Sequence, residues 1–214
     1  MTSLYTTRKT TDAIVVHCSA TKPSQDIGVK DISQWHRAKG WIGCGYHFVI
    51  RRDGTIEEGR PVNAVGAHVE GHNSTTIGIC LAGGVRESWQ KGMPGDGAED
   101  NFTPAQKAAL AKLIHQLRAT YTNTSVKGHR DYPGVRKSCP CFNVIPWWNM
   151  VKGSGHHLEV PQAVEGATIE VTKDFPTYWS LARHHNIDVR ALVGANPEHP
   201  PHTLKVGTVL RRPD

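Results

Sequence analysis

Apolar and polar positions alternate between two periods along the first 150 residues. Ala13–His17 (AIVVH) is a short apolar run that ends on a polar group, the pattern of a buried strand delivering His17 at its C-terminal end. Val29 to Lys39 repeats at helical spacing, with Ile32, Trp35 and Ala38 or Lys39 on one face and Gly40 as the stop. Tyr46–Arg51 (YHFVIR) alternates as a strand, Asp53-Gly54 predicts a two-residue hairpin turn, and Thr55–Glu58 returns. Ile77–Leu81 (IGICL) is another buried strand, closed by Gly83-Gly84. Thr103-Pro104-Ala105-Gln106 carries an N-cap, a proline at the first helical position and a glutamine three residues after the cap. Leu110, Leu113, Ile114, Leu117 and Tyr121 follow at helical spacing. A strand near Ser125–Lys127 leads to His129, an irregular loop covers 130–142, and Asn143 or Ile145 opens a helix containing Trp147-Trp148. Strands and helices are interleaved, so the fold class expected is α/β, with a mixed central sheet flanked by helices.

The pattern changes after that helix. Residues 152–166 lose periodicity and gain Gly, Ser and Pro, as a linker does. Beyond it come a strand (Thr168–Thr172), a helix (Tyr178–His185), a second helix (Val189–Gly194), Asn196-Pro197 and a last strand (Thr208–Arg211), a small β-α-α-β unit. The expected organisation is a body over 1–151, a linker over 152–166 and a second domain over 167–214.

Charge separates the same two parts. The chain of 214 residues carries 25 Lys and Arg against 19 Asp and Glu, a net +6. Residues 1–152 hold 19 against 12, or +7, and residues 153–214 hold 6 against 7, or −1. A basic body suits an anionic partner or surface. No basic run interleaved with aromatics is present, so direct nucleic-acid binding is not expected. No stretch approaches the roughly 20 apolar residues that cross a bilayer, so no membrane insertion is expected either. The N-terminus lacks an apolar core followed by a small-residue cleavage site, which points to synthesis in the cytoplasm. Five cysteines (Cys18, Cys44, Cys80, Cys139 and Cys141) do not make an even disulfide framework. In a reducing compartment they read as ligands or packed thiols.

Thirteen histidines raise the question of metal chemistry. His17, His129 and Cys139 can make a catalytic zinc site, because zinc accepts imidazole nitrogen and thiolate sulfur and catalytic sites use three protein ligands with one position left open. Spacing alone also allows a satisfied strand-end histidine and a buried thiol.

The runs VHCSATKPSQDIGVKDISQWHRAKGW, GYHFVIRRDGTIEEGR, AVGAH, IGICLAGG and NFTPAQ, with H-x(7)-K-S-C-P after them, resemble the zinc N-acetylmuramoyl-L-alanine amidases of the phage-lysozyme type. Those proteins are in turn similar to animal peptidoglycan recognition proteins. The resemblance covers about residues 12–150. It implies His17, His129 and Cys139 as zinc ligands and Tyr46 and Lys137 as catalytic residues. It selects Cys139 over its competitor Cys141, because the family ligand stands two residues after the lysine and just before a proline. Cys141 is a departure from the small polar residue usual there, and Cys141, Cys18, Cys44 and Cys80 are expected to be packing residues. His68 and Asn73, in AVGAHVEGHN, are implied as substrate contacts. His47 is expected on the opposite side of its strand from Tyr46, in a structural role.

Residues 167–213 resemble a LysM module, in W-S-L-A-R, I-D-V-R-A-L, Asn196-Pro197 and L-K-V-G-T-V-L. The usual G-D-T after the first strand is replaced by Lys173-Asp174-Phe175-Pro176-Thr177. Together the resemblances imply a monomeric phage endolysin made in the host cytoplasm. It would require Zn2+, cleave the lactyl-L-alanine amide of peptidoglycan after the membrane is opened, and bind glycan through its C-terminal module. Lysozymes of this type also bind and inhibit a phage single-subunit RNA polymerase, so that polymerase is an implied second partner. A bacterial wall-remodelling amidase and a non-catalytic peptidoglycan binder are the alternatives. The presence of Cys139 disfavours the non-catalytic one.

Overall fold

The structure is a computed structural model, and it describes residues 4–153, 163–185, 187, 189–199 and 204–213. Most of the expected linker, residues 154–162, lies outside them. The chain divides into two compact units, residues 1–114 with 124–154 and residues 115–123 with 155–214.

The first unit is built on a five-stranded mixed sheet. Its elements are β1 (Ala13–Cys18), α1 (Val29–Ala38), β2 (Phe48–Ile50), β3 (Ile56–Glu58), β4 (Thr76–Leu81), the larger part of α2 (Pro104–Thr120, of which 115–120 fall in the second unit), β5 (Ser125–Gly128) and α3 (Val144–Val151). The order across the sheet is β3-β2-β4-β1-β5, with only the β2–β3 pair antiparallel. β1 and β4 occupy the interior, and all twelve of their residues are buried. Covered on both faces, such strands read as continuous apolar runs rather than alternating ones.

The sheet nonetheless has two distinct faces. Val49 and Cys80 pack with Ile27, Ile32 and Cys44 beneath α1. Ala13 and Val15 pack with Val69 and Tyr132. His17 has the same parity as Val15 and points to that side. The opposite row, which includes Ile14, Phe48, Ile50, Ile77, Ile79 and Leu81, is fully buried. α2 contributes Leu110, Leu113 and Ile114, all 0% exposed.

α2 begins as the sequence predicts. The Thr103 Oγ1 accepts from Gln106 N at 3.1 Å, and Gln106 Oε1 accepts from Thr103 N at 3.1 Å. The same Gln106 side chain, fully buried, donates to Ile50 O (3.1 Å) and Ala82 O (2.9 Å). One residue therefore caps the helix and ties it to the ends of β2 and β4.

Three local expectations change. In α1 the buried residues are Ile32, Ser33 and His36, whereas Trp35 is 41% exposed. The i,i+4 pair turns inward instead of the i,i+3 pair, and His36 is kept in by accepting a hydrogen bond from Gly45 N at Nδ1 (2.9 Å). The hairpin is longer than two residues: Arg51 N donates to Thr55 O, leaving Arg52–Gly54 as the loop with Gly54 at φ +90°. That is the three-residue form with glycine in the left-handed position. Finally, β2 starts at Phe48, so Tyr46 and His47 are not held to strand alternation. Both rings approach His68, at centroid distances of 6.4 and 5.5 Å. His47 is structural as expected, bonding Gly78 N through Nδ1 (2.9 Å) and Ala64 O through Nε2 (3.0 Å).

The second unit has the expected β-α-α-β order: β6 (Ala163–Glu170), α4 (Tyr178–His184), α5 (Val189–Gly194) and β7 (Val209–Pro213), with β6 and β7 antiparallel. Its core comprises Ile169, Val171, Tyr178, Leu181, Ala182, Val189, Leu192 and Leu210. Asn196, 1% exposed, joins α5 to β7: its Nδ2 donates to Leu192 O and Arg211 O (both 2.8 Å), and its Oδ1 accepts from Arg211 N (2.6 Å). Among the described residues no helix is long and apolar enough to cross a membrane.

Gln106 gives a stability test of the first unit. Gln106→Met strands two backbone carbonyls and should cost about 1–3 kcal/mol in urea denaturation. Gln106→Glu places a carboxylate against the same two oxygens and should cost more than Gln106→Met. Equal stability of Gln106→Glu and the parent would show that this tie contributes nothing.

Candidate metal centre and its two cavities

The site forms where parallel strands end, the usual place for a ligand crevice in an α/β sheet. Val16 pairs with Gly128 in the β1–β5 register. The next residues, His17 and His129, therefore emerge side by side, with ring centroids 4.6 Å apart. His129 opens a 3-10 turn over His129–Asp131. The Asp131 carboxylate stabilises the entry to that turn by accepting from Gly128 N at 2.7 Å. Arg130 N then donates to Cys139 O at 2.8 Å, which returns the loop and sets Cys139 beside the two histidines.

His17, His129 and Cys139 offer ligand atoms that all lie within 4.8 Å of one another. Cys139 Sγ is 3.8 Å from His17 Nδ1. Ligands at zinc bond lengths and tetrahedral angles stand about 3.5 Å apart, so the donor set and its spacing both fit a zinc ion. His17 is 1% exposed, and the other two are half-buried.

Electrostatics favours the ligating forms. Burial, and then the neighbouring His68, His129, His47 and Lys137, hold the His17 pKa well below its usual value, which keeps the imidazole neutral. Burial and Lys137 lower His129 as well. The Cys139 thiol is lowered, chiefly by its hydrogen bond with Cys18, whose backbone N–H also donates to the sulfur at 3.3 Å. The other two thiols nearby move the opposite way: Cys18 is raised to about 12, first by its hydrogen bond with Cys139, and Cys141 is raised, first by its hydrogen bond with Cys18. Of the two cysteines that compete for the ligand position, only Cys139 is biased toward the thiolate.

Two cavities meet at this centre. One, of about 450 Å3, is lined by Trp35, Tyr46, Asp96, His129, Lys137 and Cys139 among others. The second, of about 820 Å3, is lined by Trp41, His72, Asn73, Tyr132, Arg136 and Lys137 among others. His129 and Lys137 border both. Tyr46 lies against His17, centroid to centroid 5.1 Å, and burial raises its phenol pKa well above the usual value. Lys137 is exposed at the junction of the two cavities.

His68 and Asn73 both line the larger cavity, and each also has an internal role. His68 Nδ1 lies 3.1 Å from His17 Nε2. Glycine at 78 makes this packing available, since a Cβ there would fall 2.6 Å from the His68 ring. Burial holds His68 down at about 3, so its ring is neutral. If His17 presents Nδ1 to a metal, its Nε2–H donates to His68 Nδ1, and the pair fixes ring orientation. Asn73 Oδ1 accepts from His68 N (2.7 Å) and Val69 N (2.9 Å) and so shapes the loop that carries His68. Neither the His68–His17 contact nor the part played by Arg136, His72 and Tyr132 in the cavity wall has a signal in the sequence pattern. Those residues lie far apart or in loops without periodicity.

Residues 7–142 match the model of a family described as N-acetylmuramoyl-L-alanine amidase. An endolysin of Klebsiella phage KP32 is 49% identical over 144 residues, covering 67% of this chain and 89% of the relative. An endolysin of Escherichia phage T7 is 46% identical over 141 residues, covering 66% and 87%. Among solved structures, the N-acetylmuramoyl-L-alanine amidase LysC from Clostridium intestinale is similar with a TM-score of 0.53 and 31% identity, over 70% of this chain and 93% of that one. The matched span contains the whole sheet and every residue of the centre, and on that ground the chain belongs to the N-acetylmuramoyl-L-alanine amidase family.

Proposed function

We propose that the chain is a phage endolysin whose first unit is a zinc-dependent amidase. It cleaves the amide between the lactyl group of N-acetylmuramic acid and L-alanine in peptidoglycan. The observation that carries this reading is the convergence of His17, His129 and Cys139 at the junction of two cavities that share Lys137. Zinc held by these three would supply Lewis-acid chemistry, acidifying water and polarising the scissile carbonyl. The chain's own groups do the rest. Lys137 presents an ammonium to the oxygen on which negative charge develops. Tyr46, kept protonated by burial, donates a hydrogen bond from its hydroxyl to the same region. His68 holds the His17 ring through Nε2. Two cavities meeting at the reacting bond suit a substrate with glycan on one side and peptide on the other, and His68 and Asn73 border the larger one.

The second unit acts as a glycan-binding module of the LysM kind. Its β-α-α-β order and the Asn196 bridge between α5 and β7 support this reading. A wall-binding module raises the effective concentration of an enzyme near an insoluble substrate. The Phe175 ring stacks on His184 at 4.0 Å, in the loop where the sequence departs from G-D-T. The endolysin relatives support synthesis in the host cytoplasm, with access to peptidoglycan once the membrane is opened.

Purified cell wall incubated with the protein should release free L-alanine N-termini, and a chelator should stop the release. New reducing sugar ends in place of new N-termini would identify a glycosidase and sink the reading. Cys139→Ser should lose both bound zinc and activity, whereas Cys141→Ser should keep both; the reverse pattern would reassign the ligand.

The supporting groups separate in two further measurements. Lys137→Ala should lower kcat by about 10²–10³-fold with zinc content unchanged. His68→Ala should weaken zinc affinity by about 10–100-fold in competition with a chelator. Unchanged zinc affinity in that variant would remove His68 from the support of His17.

A further inference from the structure

Three of the five cysteines cluster at the centre, and only Cys139 has a part in the proposed chemistry. The other two meet each other. Cys18 ends β1 immediately after His17, and Cys141 follows Cys139 by two residues. Their sulfurs are 3.6 Å apart. Cys18 is buried and Cys141 half-buried, and both border the 450 Å3 cavity. The meeting is built into the backbone on both sides. Cys141 adopts φ +75°, a conformation uncommon for a residue with a side chain, and its Sγ donates to Gly84 O at 3.1 Å. Gly84 itself has φ +101°. A Cβ there would fall 2.8 Å from Cys18 Cβ, 2.9 Å from Cys18 Sγ and 3.2 Å from Cys141 Sγ. Only a glycine leaves the space in which the two thiols touch.

From this geometry we propose that Cys18 and Cys141 are a dithiol modification site that oxidises to an intramolecular disulfide and leaves Cys139 free. The sulfurs must close from 3.6 Å to about 2.05 Å. With glutathione disulfide as oxidant, the Cys141 sulfur gives up its proton to solvent as it attacks one of the glutathione sulfurs, forms a mixed disulfide and releases one glutathione thiolate. The Cys18 sulfur, losing its proton in turn, then attacks the Cys141 sulfur and expels the second glutathione. The two cysteines together lose two electrons and two protons, and one glutathione disulfide becomes two glutathione thiols. The product ties the residue after His17 to the residue two beyond Cys139, a covalent staple across the centre. In a reducing cytosol the pair stays open, and in an oxidising compartment it closes. The disulfide rests on the two thiols and not on amidase activity, whereas the zinc-release measurement rests also on the proposed metal centre.

The full chain, incubated with excess glutathione disulfide, alkylated and digested without reduction, should yield one linked peptide joining Cys18 to Cys141. Cys44, Cys80 and Cys139 should be alkylated. In Cys18→Ser the second step is blocked, so a glutathione adduct should accumulate on Cys141. Zinc in the oxidised parent should leave more slowly to a chelator than in the reduced parent, a difference that Cys141→Ser should abolish. A linked peptide containing Cys139 would overturn the proposal, as would Cys18 and Cys141 still alkylated after oxidation. The mapping of the parent chain decides between these outcomes even if either variant fails to fold.

Discussion

The pairing of β1 with β5 is the constraint on which the centre depends. A parallel ladder fixes which residues leave two strands together, and here the Val16–Gly128 register sends His17 and His129 out side by side. A slip of one residue would turn the histidines to opposite faces and dissolve the site while leaving the apolar content of the strands unchanged. The register is held because β1 is buried along its whole length and is paired on both edges, with β4 on one side and β5 on the other. Rigidity of a fully buried strand thus becomes precision at the candidate metal centre.

The remaining parts of the site are attached to that pair by backbone hydrogen bonds. Cys139 comes from an irregular loop, yet its carbonyl accepts from Arg130 N and its sulfur accepts from Cys18 N. Both donors belong to the residues that immediately follow the two histidines. A flexible segment acquires a defined position because its polar groups are satisfied by the ends of rigid strands. The Cys18 side chain first, and then its backbone N–H, lower the Cys139 thiol by hydrogen bonding, while its neighbours Cys18 and Cys141 are raised. Three sulfurs in one place therefore take on separate roles through hydrogen bonding.

Much of the architecture was legible from pattern. The Thr103–Gln106 capping box, the buried strands at Ala13 and Ile77 and the β-α-α-β tail all appear where local periodicity places them. Legibility failed where a polar group is held inside by a single distant partner. His36 turns inward in place of Trp35 because Gly45 N needs an acceptor. The strand begins only at Phe48, and the His47 ring before it is claimed by Gly78 and Ala64. Periodicity reports the average demand of a face for apolar residues and is blind to such individual pairs.

By itself the sequence placed most of the elements, split the charge into a basic body and a near-neutral tail, and, through family motifs, nominated His17, His129, Cys139, Tyr46 and Lys137. These are properties of local order and residue type, which neighbouring positions along the chain carry. Only the tertiary structure decided that His68 braces His17, that one lysine borders two cavities and that Cys18 and Cys141 touch across Gly84. Those relations join residues separated by up to 123 positions. They exist only once burial and strand pairing have brought the ends of separate elements to the same point.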